Sequence, residues 1–322
     1  MTEQLPRDVY IDTVYEAAKR DRNIVFITAD LGAKGLDNWR ADKDLRRQFI
    51  HAGISEQSMI NLASGLASEG KNVFCYAMAS FIAFRPFEQI KVTLASAGLP
   101  VTLLSVGVGY GYDSAGPTHY ATEDIGIMRS LANIEILSPC DTRSVVDAAK
   151  ASIQDPKFRY VRLDRQYLPD VYSNSHSNGF ITSCPSQGIA ELVQGYNVCL
   201  LATGFMTHTA LRVRELLHGS GIDAGVVDVY RLKSLNAPAL SKILKLYPRA
   251  VTLEEHFLSA GFGSIVAETM VDNGVQIPLK RIGIHDNYLF ENGGRAHLHK
   301  LCGIDEESIA NKVKDFMVQR RV

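Results

Sequence analysis

The chain has 322 residues, 46% of them hydrophobic and 21% charged, a balance that suits two soluble domains with a core each. Its 34 basic and 35 acidic side chains give a formal net charge of −1, so no overall field recommends nucleic acid or a membrane surface as a partner. The sequence has no apolar run of membrane-spanning length, no basic-then-apolar start and no CxxC pair among its 5 cysteines, which leads us to expect a cytoplasmic protein with reduced, buried thiols.

In chain order, apolar runs at 23–28, 72–76, 101–107, 134–137 and 158–163 predict buried strands, and helical spacing falls between them at 56–68, 87–97, 122–131 and 142–153. Buried strands alternating with helices point to a parallel sheet covered on both faces. The stretch VYSNSHSNGFITSCPSQG has no sustained period and reads as a linker at 176–190. The alternation then resumes, with strands at 198–203, 225–230 and 250–254 and helices at 207–218, 237–246, 263–272 and 304–318. The expected fold class is therefore α/β with two parallel-sheet domains, at 1–175 and 191–322.

Four segments of the first domain carry chemistry. In HAGISEQSMINLASGLASEG, residues 51–70, Glu56 opens a helix, which by itself needs only the helix dipole as an explanation. In CYAMASFIAFRPFEQIKV, residues 75–92, Met78, Phe81 and Phe84 recur at i, i+3, i+6 just beyond a strand, where α/β sheets bind ligands. VGYGYDSAGPTHYATED, residues 108–124, is a glycine-rich loop with Asp113 and His119, and YVRLDRQYLPD, residues 160–170, places Arg165 after a strand.

Taken together and in this order, the segments resemble the C-terminal section of transketolases, and the resemblance covers essentially the whole chain. It implies a thiamine-diphosphate pyrimidine-binding domain followed by a transketolase C-terminal domain. Glu56 matches the glutamate that hydrogen-bonds the aminopyrimidine; such a buried carboxylate lets the cofactor act as its own base. Phe81 is implied as the stacking ring, with Met78 and Phe84 lining the pocket, Met78 replacing the usual aromatic. His119 matches the substrate-facing histidine of the GPTH motif. Arg165 and Arg7, the latter 23 residues before Asp30 of an ADLG segment, match arginines that contact substrate phosphate; Asp30 is assigned to the same substrate wall, with Lys34 as a weaker candidate.

Two departures concern the acceptor end. Ala115 stands where the family has an aspartate, for which Asp113 is a candidate substitute, and Gly107 stands where a histidine or aspartate is usual. A specialised acceptor is expected. His256, in VTLEEHFLSAGFGSIVAE, falls in a domain that mainly organises subunits and reads as scaffold. The sequence contains no GDG…N signature for Mg²⁺ on the diphosphate, so the resemblance implies a partner subunit carrying that domain, in an α2β2 heterotetramer. The expected activity is ketol transfer from a phosphorylated ketose to an aldehyde. An E1 β subunit of a 2-oxo acid dehydrogenase, a deoxyxylulose-phosphate-synthase-like carboligase and a degenerate structural or regulatory subunit are the alternatives.

Overall fold

A computed structural model describes residues 4–172 and 188–318. The first half runs α1 (Pro6–Ala18), β1 (Ile24–Thr28), α2 (Gly35–Ala41), β2 (Phe49–His51), α3 (Glu56–Ser68), β3 (Asn72–Met78), α4 (Ala79–Phe84), α5 (Phe87–Gln89), β4 (Val101–Val106), α6 (Asp124–Arg129), β5 (Glu135–Leu137), α7 (Thr142–Gln154) and β6 (Arg159–Leu163). The second half runs β7 (Ile189–Val193), β8 (Val198–Ala202), α8 (Phe205–His218), β9 (Ala224–Val229), β10 (Arg231–Lys233), α9 (Ala237–Leu244), β11 (Ala250–Phe257), α10 (Phe262–Asp272), β12 (Leu279–Ile284), α11 (Arg295–Cys302) and α12 (Glu306–Val318).

The larger sheet has the order β10-β5-β6-β4-β3-β1-β2 and is parallel except for β10. Its strands β1, β3, β4, β5 and β6 are buried almost throughout, as strands covered on both faces are. Alternate residues serve the two faces: Phe26, Phe74, Tyr76, Leu104 and Val161 pack with Ile11, Val14 and Trp39 on one side. Ile27, Val73, Cys75, Leu103 and Tyr160 pack with Met59, Ala63 and Leu94 on the other. The chain passes from β1 outward to β2 and then returns to β3 on the other side of β1. That reversal makes a crevice at the carboxyl ends of the strands, the position at which such sheets bind ligands.

The smaller sheet has the order β12-β11-β8-β9-β7, with β7 antiparallel to β9. The halves are not independent. Strand β10, from the second half, adds to the larger sheet beside β5, and one apolar cluster runs from Val25 and Ile60 through to Leu201, Val227 and Phe262.

Several expectations are corrected. Residues 87–97 do not form one helix: α5 is a single turn that continues as a π-helix at Ile90–Ala95. Residues 176–187 of the linker read at 176–190 lie outside the described residues, and Ile189 and Ala190 belong to β7. The sequence patterns also missed α1, α2, α4 and α11 and the strands β2, β7, β10 and β12. Strands β2 and β10 are only three residues long, too short to show a period, and are specified by their neighbours in the sheet.

Candidate active site

Because the candidate residues follow successive parallel strands, they line up along the crevice in sheet order: Arg165 after β6, Gly107 after β4, Met78 and Phe81 after β3, Asp30 after β1, and Glu56 after β2. Glu56 is the first residue of α3, where the helix dipole favours a carboxylate. Only 5% of it is exposed. Its Oε1 accepts a 2.9 Å hydrogen bond from Arg85 Nη1, and the same Arg85 guanidinium lies 3.8 Å from the centre of the Phe81 ring. Phe81 and Arg85 are four residues apart in and just after α4, so helical geometry places both on one face.

The Phe81 ring meets His119 edge-on at 5.3 Å, and His119 lies 6.0 Å from Tyr112. The Arg165 guanidinium stands over the Tyr112 ring at 4.6 Å. One continuous row thus runs Glu56, Arg85, Phe81, His119, Tyr112, Arg165. His119 Nδ1 is 2.8 Å from Thr118 Oγ1, which orients the imidazole within the row. Arg7, in α1, acts on the same phenol: burial pushes the Tyr112 hydroxyl pKa up, while Arg7 and Arg165 pull it down.

The His119 loop is closed at its neck by the Gly109–Ala121 pairing, with hydrogen bonds of 2.9 and 3.0 Å. The second half of the chain then clamps it. Asp113 Oδ2 accepts from the Arg295 backbone N–H at 3.0 Å and from Gln166 Nε2 at 3.1 Å. The Tyr120 hydroxyl donates to the Glu291 carbonyl at 2.9 Å. Asp113 Oδ2 is therefore engaged in holding the loop.

Of the remaining candidates, Met78 ends β3 half-buried, and Phe84, also half-buried, packs against the main apolar cluster. Asp30 adopts a left-handed φ of 54° and places Oδ1 3.1 Å from His51 Nε2. Lys34 is exposed at the start of α2.

Sequence reasoning missed Arg85 and Tyr112. Arg85 was legible as the i+4 neighbour of Phe81. Tyr112 was signalled only by the missing bulk at Gly107, since a Cβ there would fall 2.0 Å from Tyr112 Cε2.

The Arg85 guanidinium is thus a planar N–H-bearing group on the Phe81 face, hydrogen-bonded to Glu56. Residues 5–171 match the family model for the transketolase pyrimidine-binding domain, and residues 188–309 the model for the transketolase C-terminal domain. The chain belongs to the transketolase family. It is 33% identical to one of the subunits of the apulose-4-phosphate transketolase of Phocaeicola vulgatus, over 97% of this chain and 97% of that protein. It is likewise 33% identical to a putative transketolase C-terminal section of Methanocaldococcus jannaschii, over 97% and 96%. The solved structure described as a split-gene transketolase, inactive beta4 tetramer, superposes with a TM-score of 0.84 at 28% identity, covering 98% of this chain and 99% of that one. The transketolase family depends on thiamine diphosphate. In this transketolase chain no helix among the described residues is long and apolar enough to cross a membrane.

His256 sits apart from the row. Its Nδ1 donates to the Phe257 carbonyl at 2.7 Å, its Nε2 accepts from the Gly126 N–H at 3.3 Å, and burial lowers its pKa, so it is a neutral structural imidazole.

Proposed function

We propose that this chain is the pyrimidine-binding and C-terminal subunit of a two-component transketolase that moves a two-carbon ketol unit from a phosphorylated ketose to an aldehyde acceptor. The observation that carries the reading is the unbroken row from Glu56 to Arg165. It puts a buried carboxylate, an aromatic platform, an imidazole and an anion-binding end in the order that a cofactor ring followed by a sugar phosphate would need. The relative named for apulose 4-phosphate agrees with a phosphorylated ketose.

In this reading Glu56 holds the aminopyrimidine nitrogen and Phe81 carries the ring face; the bound cofactor supplies a nucleophilic carbon stabilised by its thiazolium. Arg85, whose side chain is 45% exposed, swings out to admit the ring. His119 Nε2 binds the donor hydroxyls and holds the proton exchanged there. Arg165 and Arg7 fix the anionic end, because guanidinium forks match phosphate oxygens. The partner subunit contributes the diphosphate-binding domain with its Mg²⁺ ligands, and α2β2 is the closed assembly.

Co-expression with the adjacent-gene partner, followed by a ketol-transfer assay with thiamine diphosphate and Mg²⁺, tests this. Donor cleavage that requires both chains supports the proposal. Turnover of pyruvate but of no ketose would move the protein to the E1 β or deoxyxylulose-phosphate-synthase-like class. Absence of any thermal shift with cofactor and partner together would favour the structural-subunit reading.

A further inference from the structure

Two hydroxyls beside the arginines of this site have no assigned work. Tyr76, at the middle of the sheet, is fully buried, yet its Oη lacks a hydrogen-bond partner, as does the buried Nε of Arg7. Burial pushes the Tyr76 hydroxyl pKa up, and the neighbouring Arg7 pulls it back down. Burying a polar group without a partner is costly, so an orphaned pair at the carboxyl end of a sheet indicates a place where a ligand supplies the bonds. Tyr112 is 9% exposed, lies under the Arg165 guanidinium within the field of Arg7, and its hydroxyl makes no hydrogen bond among the described residues.

The position of the Tyr112 ring explains Gly107. Gly107 has φ +80°, and a Cβ added to it would fall 2.0 and 2.2 Å from Tyr112 Cε2 and Cδ2. The phenol therefore occupies the volume into which a side chain at the end of β4 would project. The two alternatives exclude one another: either residue 107 reaches into the site or Tyr112 does. A titratable side chain at 107 would bring a charge or a proton-carrying ring, whereas a phenol brings one neutral donor on a rigid stem flanked by two cations.

We propose that Tyr112, by donating its hydroxyl to the anionic end of the substrate between Arg7 and Arg165, is the specificity-determining residue that selects phosphorylated over unphosphorylated acceptors in this subunit. The inference rests on the function proposed above. It extends that reading from the two arginines to a residue that the glycine at 107 makes room for.

The test uses the assembled two-subunit holoenzyme and a matched pair of acceptors, D-glyceraldehyde 3-phosphate and D-glyceraldehyde. Tyr112→Phe keeps the ring that fills the space over Gly107 and removes only the hydroxyl. The ratio of kcat/KM for the phosphorylated over the unphosphorylated acceptor should fall about tenfold, through KM rather than kcat, since a hydrogen bond to a charged group is lost. Binding of inorganic phosphate to the same holoenzyme, followed by calorimetry, should weaken by a comparable factor, and this readout requires no turnover. An unchanged ratio together with unchanged phosphate affinity overturns the inference. Arg165→Ala separates the two levels: loss of discrimination there but not in Tyr112→Phe discards Tyr112 alone. Full discrimination in Arg165→Ala removes the anionic end from the proposed function as well.

Discussion

Two buried glutamates, Glu56 in the site and Glu255 between the halves of the chain, show how the same side chain is used for opposite ends. Glu56 has one partner, Arg85, and that partner is itself nearly half exposed. Glu255 is enclosed: Arg295 donates to both of its oxygens, from Nε at 2.8 Å and Nη2 at 2.6 Å, and His299 Nε2 is hydrogen-bonded to it as well. Arg295 in turn reaches Asp164 at 2.8 Å and lies 3.7 Å over the Phe205 ring. Burial pushes the Glu255 carboxyl up, but the Arg295 and His299 charges outweigh it and hold it at about 2. A carboxylate saturated with partners fixes geometry; one with a single movable partner can exchange it for a ligand. The surroundings of Glu255 hold the His119 loop rigid, through the backbone N–H of that same Arg295 on Asp113, and leave the surroundings of Glu56 free to act.

The sharpest way to break this contrast is Glu56→Gln. It should reduce ketol transfer by about 10²-fold or more while leaving the thermal midpoint of the free chain nearly unchanged. A variant that loses stability but keeps its activity would reverse the roles assigned to the two carboxylates.

Next in size is Arg295→Met. It leaves Glu255 and Asp164 buried without their cation, and breaking a buried pair in this way costs roughly 3–5 kcal/mol. Chemical denaturation should report that loss in the free chain. Limited proteolysis should show the loop around Asp113 opened, because the α11 start that donates to it is no longer anchored. Wild-type stability in this variant would mean that the tether is not what joins the halves.

A third prediction concerns the neighbouring residue. Glu254 points to the other face of β11, where Oε1 accepts the Gly263 N–H at 2.9 Å and Oε2 has no partner. Burial, only partly offset by the Gly263 and Phe262 amides, raises its pKa to about 8. The folded state thus holds a proton that the unfolded chain has released above its ordinary value of 4.5. The stabilising contribution is complete below that pH and is lost as pH rises through about 8. Glu254→Gln, which mimics the protonated acid, should flatten the fall in melting temperature between about pH 5 and pH 8. A parallel fall in both proteins would show that Glu254 does not titrate there. A cavity of about 20 Å³, lined in part by Glu254, Thr203, Arg162 and Arg295, adjoins it and has room for one water molecule.

The smallest effect is expected from Arg85→Ala. An ion pair with a half-exposed partner is worth no more than about 1 kcal/mol. Removing the guanidinium from the Phe81 face should therefore tighten thiamine diphosphate binding to the two-subunit complex by up to about fivefold, as read by fluorescence titration. Weaker binding would show that Arg85 holds the bound state rather than standing in for the aminopyrimidine.

Local sequence made much of the site legible. Glu56 at the start of a helix, Phe81 beyond β3, His119 in its glycine-rich loop and Arg165 beyond β6 each follow from strand-to-helix grammar, which puts such residues at one end of a parallel sheet. The spacing of Met78, Phe81 and Phe84 was legible, but not that Phe84, half-buried like Phe81, packs against the main apolar cluster. What the sequence could not show for Asp113 is its partner, the amide of Arg295, 182 residues away, because no local pattern encodes a hydrogen bond across such a distance.

The sequence by itself determined the α/β class, the order of the chemical segments and which carboxylate opens α3, because these depend on period, spacing and residue type within a few turns of chain. Only the tertiary structure decided that β10 crosses to the larger sheet, that the tandem glutamates of β11 face opposite surroundings, and that Tyr112 fills the space over Gly107. Each of these depends on which atoms meet once distant segments have packed, and at close-packed density a volume left empty by one residue is filled by whichever neighbour the fold brings to it.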